Sequence, residues 1–73
     1  MVTKIKPIEA AAIMGCSPQF VRVGLQQGKL NIGDAIKMSS MWTYNISPAL
    51  LAKRQGIAVE EIEKMIEEMR GGE

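Results

Sequence analysis

The sequence predicts a mainly helical fold that contains one small β-hairpin. A proline, an apolar segment and a closing glycine follow one another three times, which is a usual arrangement for the start and stop of a short helix. Two runs of alternating apolar and polar residues flank Ser39-Ser40, and a period of two is typical of β-strands. Apolar residues three and four positions apart near the end of the chain favour a last, amphipathic helix.

The length and composition suit one small folded unit. A chain of 73 residues is too short for two ordinary domains, and an apolar content of 47% is enough for it to fold. Such a chain buries only roughly 60% of the surface of its unfolded form, so we expect its stability to be modest. The predicted division is a folded body over residues 1–56 and an acidic amphipathic helix with a tail over residues 57–73.

The first predicted helix begins near Pro7 and ends before Gly15. Proline suits the first turn, where a missing N–H group costs nothing, and the alanines that follow are strong helix formers. Gly15 stands where a left-handed backbone often ends a helix. Residues at positions i, i+3 and i+4 are expected to share its buried face: Ile8, Ala11 and Ala12.

A second helix is expected over residues 18–27. Ser17 is a good N-cap and Gly28 a good stop. Val21 and Leu25 lie four residues apart, so both are expected to face the core. Polar side chains with helical spacing then form another face of this helix: Gln19, Arg22 and Gln26.

Residues 31–46 have the pattern of a β-hairpin, followed by a third helix. Apolar residues alternate on both sides of the Ser39-Ser40 turn: Ile32, Ile36 and Met38 before it, and Trp42, Tyr44 and Ile46 after it. The turn signal is weaker than Asn-Gly would be. Ser47-Pro48 repeats the start signal of the second helix, and Gly56 repeats the stop, so we expect a short helix between them.

The last predicted helix, over residues 58–70, carries an apolar stripe: Val59, Ile62, Ile66 and Met69. Spacings of three and four residues resemble a short coiled-coil seam. Such a stripe either mediates self-association or docks on the rest of the chain. We favour self-association, as a homodimer or a cooperative multimer, because the preceding residues hold enough apolar side chains for a core of their own.

The net charge of +1 hides a strong asymmetry along the chain. Residues 1–54 contain seven basic and two acidic residues, a net charge of +5. Residues 55–73 contain two basic and six acidic residues, a net charge of −4. A basic body with an acidic end has a long-range field unlike that of a neutral protein, so the small total does not exclude a nucleic-acid partner.

The sequence offers little chemistry for catalysis. It has no histidine and a single cysteine, Cys16, so no intrachain disulfide or cysteine-based zinc site is possible. We find no convincing carboxylate pair and no glycine-rich phosphate loop, and we expect neither an enzyme nor a cofactor, a metal or a small-molecule substrate. No signal-peptide pattern follows Met1 and no apolar run approaches the roughly 20 residues of a membrane span, so the prediction is a cytoplasmic protein without membrane contact.

Two helices joined by a tight glycine turn and followed by a hairpin form a helix-turn-helix with a wing. The residues Glu9-Ala10-Ala11-Ala12-Ile13-Met14-Gly15-Cys16-Ser17 resemble the pattern E-A-A-x-L-L-G-V-S. Val21-Arg22, Gln27-Gly28-Lys29-Leu30 and Tyr44-Asn45-Ile46-Ser47 resemble the patterns T-V-R/Y, x-G-x-L and Y-R-I-P/S. In this order the patterns are similar to those of excisionase and MerR-like winged helix-turn-helix domains, and the resemblance covers about residues 5–54.

The resemblance implies a small DNA-binding protein of a bacterium, a phage or a mobile element. It implies that the second helix is the recognition helix in the major groove of double-stranded DNA and that the hairpin tip touches a neighbouring minor groove or the backbone. The recognition-helix candidates are Ser17, Gln19, Arg22, Val23 and Gln26. The candidates for wing and backbone contacts are Lys29, Lys37, Ser39 and Ser40.

Several candidates have a second interpretation that the sequence leaves open. Arg22 either reads guanine or clamps a phosphate, or it is an ordinary solvated helix residue. Phe20 and Val23 either touch a thymine methyl group or pack in the core, and we favour the core for Phe20. Trp42 either wedges into a minor groove or closes the core under the hairpin, and we favour the second role.

Two classes of function fit these observations. The first is a sequence-specific DNA-binding protein, a transcriptional regulator or an excisionase-type recombination factor, that assembles in several copies on repeated sites. Cations are few, and with about four phosphate contacts the salt slope would be only about −4, so one copy is expected to bind weakly. The alternative is a non-enzymatic assembly module, for example in a phage particle or a DNA-packaging complex, that uses the same fold for protein contacts.

Overall fold

The structure is a computed structural model that describes residues 4–71. Residues 1–3 of the predicted body and residues 72–73 of the predicted tail lie outside the described residues. The elements, in chain order, are α1 (Pro7–Met14), α2 (Pro18–Gln26), β1 (Gly33–Met38), β2 (Met41–Ile46), α3 (Pro48–Gln55) and α4 (Val59–Met69). The predicted mainly helical fold with one antiparallel hairpin is confirmed.

The helix boundaries follow from local capping chemistry. The hydroxyl of Ser17 accepts a hydrogen bond from the backbone N–H of Phe20 at 3.1 Å, and Ser47 caps α3 in the same way. Both serines satisfy an N–H group that the first helical turn leaves without a partner. Gly15 ends α1 with a φ of 73°, in the left-handed region that glycine adopts without strain. The predicted helix bounds are therefore confirmed to within one or two residues.

The hairpin pairs β1 with β2 around the predicted Ser39-Ser40 turn. Ser39 has a φ of 58°, and two-residue hairpin turns that match the twist of the strands need a positive φ at their first position. Gly33 stands opposite Ile46 in the register, where an added Cβ atom would lie 1.9 Å from the carbonyl oxygen of Asn45. Only glycine fits there, so the first paired position fixes how closely the two strands approach.

The two faces of the hairpin differ from the predicted pattern. Ile32 is buried in the core but lies in the turn before β1, whereas Ile36 and Met38 are exposed. On the opposite face burial decreases from Ile46, which is buried, through half-buried Tyr44 to Trp42, which is 37% exposed and is not one of the buried core residues. The preference for Trp42 as a core residue is therefore wrong. The outer half of this short hairpin extends beyond the helices that would cover it.

One apolar cluster joins the helices and the hairpin. Its buried side chains are Ile5, Ala10, Ala11, Val21, Leu25, Leu30, Ile32, Ile46, Leu51, Ala52, Ile62 and Ile66. Val21 and Leu25 face this core as predicted. In the described part of the chain, all four helices and β2 contribute buried side chains to this cluster, and β1 contributes only the partly buried Ala35.

The terminal helix is part of that core. Ile62 and Ile66 are 0% exposed, and α4 packs mainly against α3 and α1. Val59 is half-buried against the same cluster, and Met69 alone of the four stripe residues is exposed. The prediction that this stripe forms a self-association surface is therefore wrong for Ile62 and Ile66. The preceding residues do not close the core without them.

The buried face of α1 is rotated from the predicted one. Ile8 is 59% exposed and Ala12 is exposed, while Ala11 is buried as expected. The buried residues of α1 are Glu9, Ala10 and Ala11. Glu9, a charged residue, thus lies on the inward face of α1, whereas Ile8, which the apolar pattern placed on that face, is exposed.

Glu9 is buried because Arg70, at the end of α4, neutralises it. The guanidinium donates two hydrogen bonds to the carboxylate, from Nε to Oε2 at 2.7 Å and from Nη2 to Oε1 at 3.0 Å. The same Nη2 donates to the carbonyl oxygen of Lys4 at 2.6 Å, and the backbone N–H of Lys6 donates to Glu9 at 2.9 Å. The ion pair thus joins residues 61 positions apart in the sequence and fixes the end of α4 against α1.

The ion pair shifts the titration of both partners. The hydrogen bonds from Arg70 lower the pKa of Glu9 below its ordinary value of 4.5, against the opposing effect of burial. The hydrogen bond to Glu9 raises the pKa of Arg70 in turn. A carboxyl group with a lowered pKa stabilises the folded state above its ordinary pKa, and this contribution is lost as the pH falls through the folded value.

The burial of α4 predicts a large cost for shortening its inward side chains. Ile66→Ala should lower the free energy of unfolding by about 2–5 kcal/mol, because it removes buried methyl groups and leaves a cavity. Met65→Ala, on the same helix at 37% exposure, is the control and should cost less than about 1 kcal/mol. Urea unfolding followed by circular dichroism at several protein concentrations measures both. A small Ile66→Ala effect, with a wild-type midpoint that rises with concentration, would contradict the intramolecular role.

The Glu9–Arg70 pair predicts a pH-dependent loss of stability. Glu9→Gln should lower the free energy of unfolding at neutral pH, because the glutamine cannot carry the charge that Arg70 binds. The difference from the wild type should shrink as the pH falls below 4.5, where the wild-type carboxylate becomes protonated. Urea midpoints measured from pH 7 down to pH 2 test this. Glu67→Gln, an exposed position on α4, is the control, and a Glu9→Gln deficit that stays constant with pH would contradict the assignment.

Candidate nucleic-acid interface

The exposed face of α2 is set by the two side chains that α2 buries. Val21 and Leu25 anchor the helix in the core, and each residue of a helix turns by about 100° from the one before it. Gln19 and Val23 lie most directly opposite that anchor. Arg22 and Gln26 follow on one flank of the exposed face, and Phe20 and Gln27 on the other. The predicted recognition residues therefore share one continuous surface.

Ser17 and Gln26 are the two predicted contacts that also have a role inside the protein. Ser17 is exposed while its hydroxyl oxygen caps α2. The side-chain amide of Gln26 donates a hydrogen bond to the hydroxyl of Tyr44 at 2.6 Å. Tyr44 lies on β2, so this bond fixes the exposed face of α2 relative to the hairpin. One amide hydrogen and the amide oxygen of Gln26 remain for a further partner.

A groove runs along one side of α2 and has a volume of about 330 Å³. Its lining residues are Ser17, Gln19, Phe20, Val23, Gly24, Gln27, Lys29, Leu30 and Arg54. The predicted contacts Ser17, Gln19, Val23 and Lys29 therefore meet in one place. Lys37, Ser39 and Ser40 are exposed on the hairpin and do not line this groove.

Two groove residues lie outside the predicted set of DNA contacts. Phe20 is 52% exposed, so the expectation that it packs in the core is wrong. It directly precedes Val21, and one helical step of about 100° moves it out of the core-facing stripe. Arg54 comes from the end of α3 and brings a second cation to the groove that Lys29 lines. The helical periodicity of α2 predicts the outward position of Phe20, whereas the position of Arg54 in the groove depends on how α3 packs in the folded protein.

The cations around α2 have no carboxylate partner in residues 4–71. The one ion pair of this part of the chain is Glu9–Arg70. Arg22, Lys29 and Arg54 therefore keep their charge available for a partner outside the described chain. The elements that pack mainly against α2 are α1 and β1, while the glutamates of α4 lie on a helix that packs on α3 and α1.

Other features of the described residues offer less chemistry. Within residues 4–71 no group of three His, Cys, Asp or Glu residues is placed to hold a metal ion. A second cavity, of about 370 Å³, lies near the start of the hairpin and contains a hydrogen bond from the amide of Asn45 to the carboxylate of Asp34 at 3.1 Å. No helix in the same part of the chain has the length and apolar character needed to cross a membrane.

Comparison of the chain with protein-family models, with curated proteins and with solved structures finds no match.

Proposed function

We propose that this protein binds double-stranded DNA and that α2 is its recognition helix. The observation that carries the proposal is the outward side of α2, which presents Gln19, Arg22 and Gln26. Lys29 and Arg54 line the groove beside it, and no carboxylate of residues 4–71 pairs with these cations. A short helix anchored on one side and polar on the other fits the major groove. The order of two helices joined by a Gly15 turn and followed by a hairpin is compatible with a winged helix-turn-helix.

Each group on this surface has a partner in DNA chemistry. Arginine pairs with the O6 and N7 atoms of guanine or with a phosphate, and glutamine pairs with the N6 and N7 atoms of adenine. Lys29 and Arg54 suit phosphates that flank the recognised bases. Lys37, Ser39 and Ser40 at the hairpin end would contact the backbone or a neighbouring minor groove.

The proposed role is that of a sequence-specific regulator or an excisionase-type recombination factor of a phage or mobile element. The small number of cations near α2 supports modest affinity for one copy, because phosphate neutralisation supplies most of the non-specific binding. Several copies on adjacent sites would then act together. Because Ile62 and Ile66 are buried in the monomer, contacts between copies would use another surface, such as the exposed end of the hairpin.

An assembly module is the second candidate, and one observation favours it. One face of the hairpin exposes three large apolar side chains, which we call the hairpin patch: Ile36, Met38 and Met41. Trp42 is exposed on the other face. Exposed apolar side chains that are grouped together often mark a protein contact, and methionine adapts well to such surfaces. In this function the hairpin, rather than α2, would be the main binding element.

Retention on random-sequence DNA and on heparin separates the two candidates. A DNA-binding protein should be retained at low salt and released as the salt concentration rises, because counterions compete for the phosphates. The absence of retention at low salt would favour the assembly module. The six-glutamate end of the chain makes simple attraction of the whole protein to a polyanion weak, so retention would reflect the cationic surface.

The role of Arg22 gives a quantitative prediction for DNA binding. A site is first selected from a random DNA pool and its affinity is then measured by fluorescence anisotropy. Arg22→Ala should weaken binding to that site by about 1–3 kcal/mol, because it removes a base or phosphate contact. Lys64→Ala, an exposed cation on α4, is the matched control and should change the affinity little. Unchanged affinity of Arg22→Ala would rule out this role for Arg22.

A further inference from the structure

Phe20 is the aromatic residue of α2, and the proposed polar contacts to DNA do not explain why it is exposed. Phe20 is 52% exposed and lies outside the core cluster. It stands in the first turn of α2, where the cap from Ser17 to its backbone N–H fixes the backbone. With Val23 and Leu30 it forms the apolar part of the groove. Apolar side chains that are grouped in a groove in this way often mark a binding surface.

The surroundings of Phe20 favour a polyanion over an apolar protein partner. Lys29 and Arg54 line the same groove, and no carboxylate of residues 4–71 pairs with them. An apolar peptide would leave these cations without a counter-charge, whereas the DNA backbone supplies phosphates along both sides of the major groove. These surroundings therefore favour an occupant that carries both negative charge and an apolar group.

The major groove of DNA contains an apolar group between its two phosphate backbones. Thymine projects its C5-methyl group into the major groove, where the neighbouring atoms of the base edges are polar hydrogen-bond donors and acceptors. Apolar side chains distinguish thymine by contact with that methyl group. On α2 the apolar residues Phe20 and Val23 lie beside Gln19, and Arg22 lies on the opposite flank. A helix in the groove would thus present apolar contacts to some base pairs and a cation to others.

We propose that Phe20 and Val23 give the protein specificity for thymine by contacting its C5-methyl group. This inference rests on the proposed DNA-binding function and assigns part of the specificity of that surface. It places thymine at the base pairs facing Phe20 and Val23, and it assigns guanine or a phosphate to the Arg22 flank. The contact is apolar, so it adds discrimination between bases without adding to the salt dependence.

The test replaces thymine by deoxyuridine, one position at a time, in a site selected from a random pool. Deoxyuridine keeps every hydrogen-bonding atom of thymine and lacks only the methyl group. Wild-type affinity should fall by about fourfold at each contacted position, the loss expected for one methyl group removed from an apolar contact. Phe20→Ala and Val23→Ala should bind the selected site more weakly, and at least one of them should bind thymine and deoxyuridine equally at the contacted position.

Two controls separate methyl recognition from general damage. Gln27→Ala changes another residue of the same groove and should retain the preference for thymine over deoxyuridine. Thermal unfolding of Phe20→Ala should remain close to the wild type, because the side chain is half exposed and outside the core. Weaker binding by this variant then cannot be attributed to unfolding.

The outcomes distinguish this inference from the proposed function. Specific DNA binding that is insensitive to deoxyuridine at every position would overturn the thymine contact and leave DNA binding standing. A preference for thymine that survives both Phe20→Ala and Val23→Ala would overturn the assignment to these residues. The absence of any binding to DNA would overturn the proposed function, and the thymine contact with it.

Discussion

The docking of α4 is the constraint on which the rest of the structure depends. Ile62 and Ile66 complete a core that the shorter elements share, and Arg70 binds Glu9 at the far end of the same helix. Ten of the twelve buried apolar side chains in residues 4–71 come from residues 5–52, and the terminal helix supplies the other two. The ion pair then selects one position of α4 along α1, because a carboxylate buried without its partner would be costly.

This docking also determines how charge is distributed over the molecule. The apolar side of α4 faces α1 and α3, so its glutamates are turned to solvent on an element that is not a main neighbour of α2. The cations near α2 therefore remain unpaired, although the net charge of the chain is only +1. Arg54 lies on α3, the main neighbour of α4, and still forms no ion pair with the glutamates of that helix.

Local chemistry made the elements predictable, and long-range packing limited the prediction of the site. Ser17 and Ser47 cap their helices as expected because capping depends on residues three positions away. The Glu9–Arg70 pair joins residues 61 positions apart, and no local pattern indicates such a partner. The periodicity of Ile62 and Ile66 revealed an apolar face but not what would cover it, and this ambiguity led to the wrong expectation of self-association. The outward position of Phe20 followed from helix geometry, yet its aromatic character favoured the core in the sequence interpretation.

The hydrogen bond from Arg70 to the carbonyl oxygen of Lys4, at 2.6 Å, brings the two ends of residues 4–71 together. A short peptide linker between these two ends would close residues 4–71 into a ring. A ring restricts the unfolded chain while leaving native contacts in place, and it would therefore raise stability by loss of unfolded-state entropy. New ends could then be opened at the exposed Ser39-Ser40 turn, which would make a permuted chain with the terminal helix as an internal segment.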